Sequence, residues 1–271
     1  MARIALVISD VDGTLVTSQK RVTERTRAAV AALRARGIGF TVVSSRPPFG
    51  LRMLIDTLGI TVPVAAFNGG AIASPALQIL NQRSIDRDVA REIVAFLDAQ
   101  RVGVWLFTGQ EWLTRDLAGA HVSHETITVQ QRPHAVENFD AVIGQAGKIV
   151  GVSDDFARLE TIEAEARTHF ATRAMAVRSQ SYYLDFAAPG VDKGLAVREL
   201  AETIQVPFSE IVTLGDMEND VPMFHQAGFS IAMGNASDAV KREAREATLT
   251  NDADGFADAV ERLILPRANG A

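Results

Sequence analysis

Short apolar runs alternate with helical patterns at both ends of the chain. Bounded by turn residues, such runs predict buried strands of a parallel sheet. They cover residues 4–8, 38–43, 64–67, 211–214, 229–233 and 247–250. Apolar stripes between them predict helices, which cover residues 23–37, 48–58, 193–203 and 255–263. Asn68-Gly69-Gly70, after the third run, indicates a hairpin. This alternation predicts an α/β fold with a Rossmann-like parallel sheet.

The middle of the chain has a different pattern. Residues 86–100 and 156–170 predict helices, residues 102–108 and 182–186 predict strands, and a polar, loop-rich stretch with Trp112 and several histidines lies between them. Both tryptophans, both tyrosines and four of the five histidines lie within residues 101–183. This shift predicts an inserted α+β cap at residues 83–188, between two core segments at residues 1–82 and 189–271.

Composition narrows the function classes. A net charge of −6 argues against a nucleic-acid partner, which usually meets a basic face. The absence of cysteine excludes disulfides, thiolate nucleophiles and Cys-ligated metals. No apolar run approaches the roughly 18 residues of a spanning helix, and the N-terminal run is too short for a signal peptide. We therefore expect a soluble cytoplasmic protein, a monomer or weak homodimer, without a membrane partner.

Two acidic clusters follow apolar runs at opposite ends of the chain. The first is Asp10-Val11-Asp12-Gly13-Thr14-Leu15, and the second is Gly215-Asp216-Met217-Glu218-Asn219-Asp220. Both should emerge at strand ends, where open α/β sheets place their ligand sites. Asp10 and Asp12 share one face by their spacing, so one could act as a nucleophile or metal ligand and the other as acid and base. Carboxylates gathered there suit Mg²⁺.

Each cluster also has a structural explanation. The first could be a plain acidic turn, with Gly13 allowing a tight bend, but it lacks the terminal glutamate of a calcium loop. In the second, Asn219 and Asp220 could simply cap the next helix. Ser44 at a strand end and Lys193 at a helix start could both contact an anion, although each is also explained as an ordinary structural or surface residue.

Taken in order, these motifs resemble the haloacid-dehalogenase superfamily, in particular its Cof-type branch. Residues 10–15 match its first motif, and Ser44-Ser45-Arg46 is similar to the second, where the branch usually has Thr-Gly-Arg. Asp192-Lys193-Gly194 matches the third motif, and residues 215–220 match the fourth. Asn68 to Ala71, Gly234-Asn235-Ala236 and residues 251–256 are similar to further hallmarks of the branch. The middle module fits the family's large cap by position and size only.

The resemblance implies a Mg²⁺-dependent phosphatase for small phosphate monoesters, such as sugar phosphates or similar metabolites. Asp10 would form an aspartyl phosphate, and Asp12 would serve as general acid and base. Asp10, the backbone carbonyl of Asp12 and Asp216 would bind the metal. The substrate phosphate would be held by Ser44, Arg46, Lys193 and Asn219. Asp220 and Gly13 would support the site, with Asp220 orienting Lys193 or metal-bound waters rather than binding the metal directly.

Two other functions stay open. A phosphomutase of the same superfamily would need a second, arginine-rich phosphate site in the cap, which Arg115, Arg132, Arg173 and Arg178 could supply. A non-catalytic binder of phosphorylated metabolites would be expected to lack part of the acidic set, which is complete here. The spacing of His121 and His124 permits a metal pair, but surface or substrate contact explains them at least as well.

Overall fold

The computed structural model describes residues 3–268, in which strands and helices alternate along the chain. The strands are β1 (Leu6–Asp10), β2 (Gly39–Val43), β3 (Val64–Ala66), β4 (Ala71–Ala73), β5 (Ile79–Gln82), β6 (Gly103–Phe107), β7 (Trp112–Thr114), β8 (His134–Ala135), β9 (Lys148–Val152), β10 (Met175–Gln180), β11 (Tyr183–Ala187), β12 (Ile211–Gly215), β13 (Phe229–Ala232) and β14 (Glu246–Ala247). The α-helices are α1 (Glu24–Ala35), α2 (Arg52–Leu58), α3 (Arg87–Ala99), α4 (Val122–Val129), α5 (Phe156–Phe170), α6 (Lys193–Ile204), α7 (Val221–Gln226), α8 (Asp238–Glu243), α9 (Gly255–Ala259) and α10 (Leu265–Ala268). A π-helical turn at Val260–Ile264 joins α9 to α10, and short 3₁₀ turns lie at Pro48–Leu51, Phe67–Gly69, Ile143–Gln145, Phe208–Glu210, Glu218–Asp220 and Asn251–Ala253.

The larger sheet is built from both ends of the chain. Its strand order is β14-β13-β12-β1-β2-β3-β4-β5. All pairs from β14 to β3 are parallel, and β4 and β5 add an antiparallel edge. The chain leaves β1 for β2 on one side and returns as β12 on the other. A strand order of this kind opens a crevice at the carboxyl ends of the central strands.

The alternation of side chains along β1 directs Asp10 toward α6. Leu6 and Ile8 are fully buried in the cluster that packs against α6 and α7, whereas Val7 packs with α1 and α9 on the opposite face. Because successive strand residues point to opposite faces, Asp10 shares the face of Leu6 and Ile8. The first residue of α6, Lys193, lies on that side of the sheet.

The smaller sheet lies between β5 and α6 in the chain and has the order β10-β11-β9-β6-β7-β8. One face, including Val104 and Leu106, packs against α3 and α5. The other face, including Trp105 and Phe107, joins the apolar cluster of the large sheet. The predicted fold class, a parallel-sheet α/β core with an inserted α+β cap, is confirmed. The limits at residues 83 and 188 stay predictions.

The predicted elements agree best where local signals are strong. The helix over residues 156–170 has the predicted bounds, and Thr23, Asp86 and Asp192 act as N-caps through their side chains. Beside Asn68, β3 and β4 pair as an antiparallel hairpin. Of the strand predicted at residues 247–250, only Ala247 is in β14.

The loop-rich interpretation of the cap was wrong in part. Trp112 begins β7, and His124 lies within α4. That helix has no capping side chain and is flanked by His121 and Gln130, both in the left-handed region, so it lacks the usual end signals. The central strand β9 was not predicted either, because it begins at Lys148 and contains a glycine. Each helix within residues 3–268 is too short or too polar to span a lipid bilayer.

Gly69 shows a tight contact between the hairpin and the start of α6. Its φ is +99°, and a Cβ there would lie 2.7 Å from the carbonyl oxygen of Asp192 and 2.9 Å from the amide nitrogen of Ala196. Gly37 also has a positive φ, +71°, but a Cβ there would meet nothing within 4 Å. Substituting alanine at Gly69 would therefore cause both backbone strain and steric overlap, whereas alanine at Gly37 would cause backbone strain alone.

We expect Gly69→Ala to lower the free energy of unfolding by more than about 2 kcal/mol, because strain and overlap combine. The control Gly37→Ala should lower it by about 1 kcal/mol, since strain acts alone. Urea unfolding of both variants measures the difference. Equal losses would show that α6 does not pack as closely on the hairpin as the structure indicates.

Candidate active site

The carboxyl ends of three neighbouring strands bring the predicted motifs together. β1 ends at Asp10, Ser44 follows β2, and Asp216 follows β12. Carboxylate oxygens of Asp10, Asp216 and Asp220 lie within 4.8 Å of one another, and all three residues are buried. The two acidic clusters, about 200 residues apart in the chain, therefore form one site.

Lys193 links the two acidic clusters. Its Nζ donates to Oδ1 of Asp10 and to Oδ1 of Asp220, each at 2.6 Å, and only 3% of its side chain is exposed. Burial would lower the pKa of Lys193, but the charges of the two carboxylates raise it above the ordinary value. Oδ2 of Asp220 accepts from the amides of Asp216 and Met217 at 2.8 and 2.9 Å. Asp220 therefore holds both Lys193 and the loop after β12.

Asp216 is oriented by donors from both chain ends. Its Oδ1 accepts from the Thr14 hydroxyl at 3.0 Å, and its Oδ2 accepts from Nδ2 of Asn235 at 3.1 Å. Asn235 also donates to the carbonyl oxygen of Gly13 at 2.9 Å. Gly13 has φ +89°, and a Cβ there would lie 2.3 Å from Oδ2 of Asp216. Only glycine allows the first motif to approach Asp216 so closely.

Asp10, Asp216 and Asp220 carry more negative charge than the single positive charge of Lys193 can neutralise. Burial raises the pKa of Asp10 well above its ordinary value, although Lys193 opposes the shift. Burial and the charge of Asp220 raise the pKa of Asp216 to about 6. Close carboxylates resist shared ionisation unless a cation lies among them. A hard divalent cation with oxygen ligands fits this set of donors.

Asp12 lies in a different electrostatic environment. Arg46 donates to both of its carboxylate oxygens, from Nε at 2.8 Å and from Nη2 at 2.7 Å, and Lys20 donates to Oδ1 at 2.7 Å. Burial alone would raise the pKa of Asp12, but these cations hold it well below the ordinary value. Arg46 also donates to the carbonyl oxygen of Thr128 in α4 at 3.1 Å. The guanidinium thus connects the first motif to the cap.

The other residues predicted to bind the substrate phosphate are Ser44, Asn219 and Arg46, and they differ in exposure and in contacts. Ser44 is buried, and its Oγ accepts from the amide of Arg46 at 3.1 Å. Asn219 is exposed in the 3₁₀ turn beside Asp220. The guanidinium of Arg46, expected to bind substrate, is occupied by Asp12, by the carbonyl oxygen of Thr128 in the cap and by that of Gly50 in the core. The assignment of these residues to the substrate phosphate stays a prediction.

Sequence reasoning did not assign Thr14, Lys20 or Asn235 to the site. Thr14 and Asn235 lie inside motifs that the sequence analysis had singled out. Their positions just after strands were the signal from which a role in the site could have been predicted. Lys20 lies in a turn with φ +59° and carries no comparable signal. Its contact with Asp12 depends on how the loop after β1 folds back.

The cap histidines belong to no cluster of three or more metal-binding side chains within residues 3–268. Nε2 of His121 contacts Asp154 at 2.7 Å, and its ring stacks on Tyr182 with 4.0 Å between centroids. His124 is exposed. Within residues 3–268, the set of side chains close enough to hold a metal is Asp10, Asp216 and Asp220.

Comparison with known proteins agrees with this geometry. The haloacid dehalogenase-like hydrolase family matches residues 7–260 of the chain. A putative phosphatase of Haemophilus influenzae is 28% identical over 252 residues, which cover 93% of this chain and 95% of that protein. The 5-amino-6-(5-phospho-D-ribitylamino)uracil phosphatase YwtE of Bacillus subtilis is 25% identical over 281 residues, covering 94% and 96%.

Solved structures give the same result. A haloacid dehalogenase-like hydrolase from Bacteroides thetaiotaomicron superposes with a TM-score of 0.89 at 28% identity, covering 96% of this chain and all of that one. TM0651 from Thermotoga maritima superposes with a TM-score of 0.84 at 25% identity, covering 96% and 97%. The chain belongs to the haloacid dehalogenase-like hydrolases, as its motifs predicted. It is a phosphatase of that superfamily, a hydrolase of phosphoric monoesters.

The raised pKa of Asp216 predicts a pH-dependent stability effect. The pKa is about 6 in the folded protein and near 3.8 when unperturbed, so ionised Asp216 destabilises the fold above about pH 6. This destabilisation disappears as the pH falls toward 4. In chelator at pH 7.5, we expect Asp216→Asn to raise Tm by about 2 °C or more.

Thermal melts at pH 7.5 and pH 5 test this expectation, because the gain should shrink at the lower pH. Asp56→Asn is the matched control, since Asp56 is exposed and lies 3.9 Å from its ion-pair partner Arg52. A decrease in Tm of the same size at both pH values would contradict the proposed repulsion among the carboxylates.

Proposed function

We propose that this phosphatase is Mg²⁺-dependent and hydrolyses small phosphate monoesters, such as sugar phosphates or similar metabolites, through an aspartyl phosphate on Asp10. The observation that carries the proposal is the position of Asp10. It ends the central strand beside Asp216 and Asp220, and Lys193 holds its Oδ1 at 2.6 Å. A carboxylate held in this way can attack phosphorus with its other oxygen.

In the first step, Oδ2 of Asp10 attacks phosphorus and the bond from phosphorus to the leaving oxygen breaks. Asp12 gives its proton to that oxygen, which leaves as the alcohol. In the second step, Asp12 removes a proton from water, which attacks the phosphorus of the acyl phosphate and restores Asp10. Arg46 keeps Asp12 ionised in the present arrangement, which is the form that the second step requires. The first step requires a protonated Asp12, and therefore an arrangement in which Arg46 no longer holds both of its oxygens.

The remaining residues bind and orient the substrate. Lys193, Ser44 and Asn219 would hold the phosphoryl oxygens. Asp10, the backbone carbonyl of Asp12 and Asp216 would bind Mg²⁺, which supplies positive charge that screens the nucleophile from the phosphate. Both side-chain oxygens of Asp220 already accept hydrogen bonds, which supports a role in orienting Lys193 rather than in binding metal.

The phosphomutase alternative receives less support. Three of the four cap arginines suggested for a second phosphate are paired with carboxylates: Arg115 with Asp98, Arg173 with Glu92, and Arg178 with Glu163. Arg132 is exposed. A non-catalytic binding role is also disfavoured, because the acidic set of the site is complete and connected.

We expect Asp10→Asn to lose turnover by several orders of magnitude while keeping its fold, because an amide is not an anionic nucleophile. Steady-state rates on a generic aryl phosphate, together with circular dichroism, measure both. Acid quenching during turnover of a ³²P-labelled ester should trap label on the unmodified protein and none on the variant. A variant with more than about a tenth of the normal rate would exclude the covalent route.

We expect chelation to abolish activity and Mg²⁺ to restore it, because the acidic group requires a cation before it can accept a phosphate. Ca²⁺ should inhibit in competition with Mg²⁺, since its larger and looser coordination disturbs the geometry of attack. Calorimetric titration of the chelated protein with each ion gives a second readout. Full activity after exhaustive metal removal would overturn the proposal.

A further inference from the structure

The cap face that meets the core has buried polar atoms without partners. Oδ1 of Asp185, in β11, makes no hydrogen bond with the described residues, and the residue is only 4% exposed. Nε1 of Trp112, in β7, is likewise buried without a partner. Tyr183 shares the face of Asp185, because the two residues are two apart in one strand. A buried polar atom without a partner is costly, so its presence needs an explanation.

Lys148 connects this face to the catalytic loop. Its Nζ donates to Oδ2 of Asp185 at 3.3 Å and to the carbonyl oxygen of Ser45 at 3.2 Å. Ser45 directly follows Ser44 in the loop after β2. Lys148 also lies 5.2 Å from the centre of the Phe107 ring, on which Trp112 stacks. The free oxygen of Asp185 therefore lies where the cap contacts the active site.

A second carboxylate lies close to Asp185. Glu125, in α4, is 8% exposed, and its hydrogen bond is a long one from the Tyr183 hydroxyl, 3.3 Å to Oε2. Burial raises the pKa of Glu125, and the charges that act on it include Lys148, Asp185 and Arg46. Glu125 thus lies in the same group as Asp185, beside the arginine that holds Asp12.

In this group of buried charged residues, the hydrogen-bond donors are all engaged, whereas the carboxylate acceptors are not. Its cations are engaged: Arg46 by Asp12 and a cap carbonyl group, and Lys148 by Asp185 and Ser45. Its carboxylates accept few bonds, and those are long. Asp185 and Glu125 therefore have too few hydrogen-bond donors among the described residues. A purely structural ion pair would be expected to satisfy both oxygens of its buried carboxylate.

We infer that Asp185 and Glu125 form the subsite for the leaving alcohol, and that this alcohol carries several hydroxyl groups and no second acidic group. The inference rests on the proposed phosphatase function. Hydroxyl groups would donate to Oδ1 of Asp185 and to Glu125, and an oxygen of the same alcohol could accept from Nε1 of Trp112. A second phosphate or a carboxylate would meet two buried carboxylates and be repelled.

The test compares esters that differ in the leaving group. Polyol and sugar monophosphates of three to six carbons provide hydroxyl groups, phenyl phosphate provides none, and phosphoglycolate and fructose 1,6-bisphosphate carry a second acid. The variants are Asp185→Asn and Glu125→Gln, which lie on different elements and keep the side-chain shape. Glu92→Gln is the matched control, because Glu92 pairs with Arg173 on the exposed surface of the cap. Melting curves confirm that each variant folds.

We expect kcat/KM for the best polyol phosphate to fall at least tenfold in both variants, and kcat/KM for phenyl phosphate to change less than threefold. A site that binds hydroxyl groups discriminates strongly through them. The control should change neither value. The unphosphorylated polyol should inhibit the unmodified protein more strongly than either variant, which is a readout independent of the chemical step.

Three outcomes would overturn the inference while leaving the phosphatase function intact. The first is an equal loss on phenyl phosphate and polyol phosphates in both variants. The second is a preference of the unmodified protein for the esters with a second acid. The third is that the unmodified protein hydrolyses phenyl phosphate but none of the polyol phosphates. Failure on every ester would instead refute the proposed function.

Discussion

The buried contact of Lys193 with Asp10 and Asp220 is the interaction on which the site depends. It joins the start of α6 to the ends of β1 and β12, elements supplied by the two ends of the chain. Removing one partner of such a group leaves buried charge without compensation, at a typical cost of about 3–5 kcal/mol. The same lysine keeps positive charge beside the proposed nucleophile. Here the requirements of folding and of phosphate binding coincide.

The excess of negative charge around Asp216, unlike the contact of Lys193, opposes folding. Burial, and after it the charge of Asp220, raise the pKa of Asp216, so the folded protein holds this carboxylate at a free-energy cost. Such a cost is common at functional sites, where stability is given up for chemistry. The precise support of Asp216 by Thr14, Asn235 and the close approach of Gly13 indicates that this crowding is built into the fold.

The cap contacts the core through charged groups as well as apolar packing. Arg46 reaches the carbonyl oxygen of Thr128, and Lys148 reaches that of Ser45, so each side of the interface extends one cation to the backbone of the other. Both cations lie next to residues with proposed roles, Asp12 and Ser44. The position of the cap and the arrangement of the catalytic loops are therefore coupled through these two side chains.

Local patterns in the sequence predicted the parallel-sheet core, the presence of an inserted cap and the motifs of the site, because strand ends, helix caps and turn glycines have their own signals. Thr23, Asp86 and Asp192 are examples. Three contacts follow from long-range packing alone: Arg46 binds Asp12, Asn235 supports Asp216, and Lys148 joins Asp185 to the loop after β2. These contacts join residues more than 15 positions apart, so no local pattern contains them. The cap was poorly predicted because β9 and α4 depend on packing against other elements rather than on their own end signals.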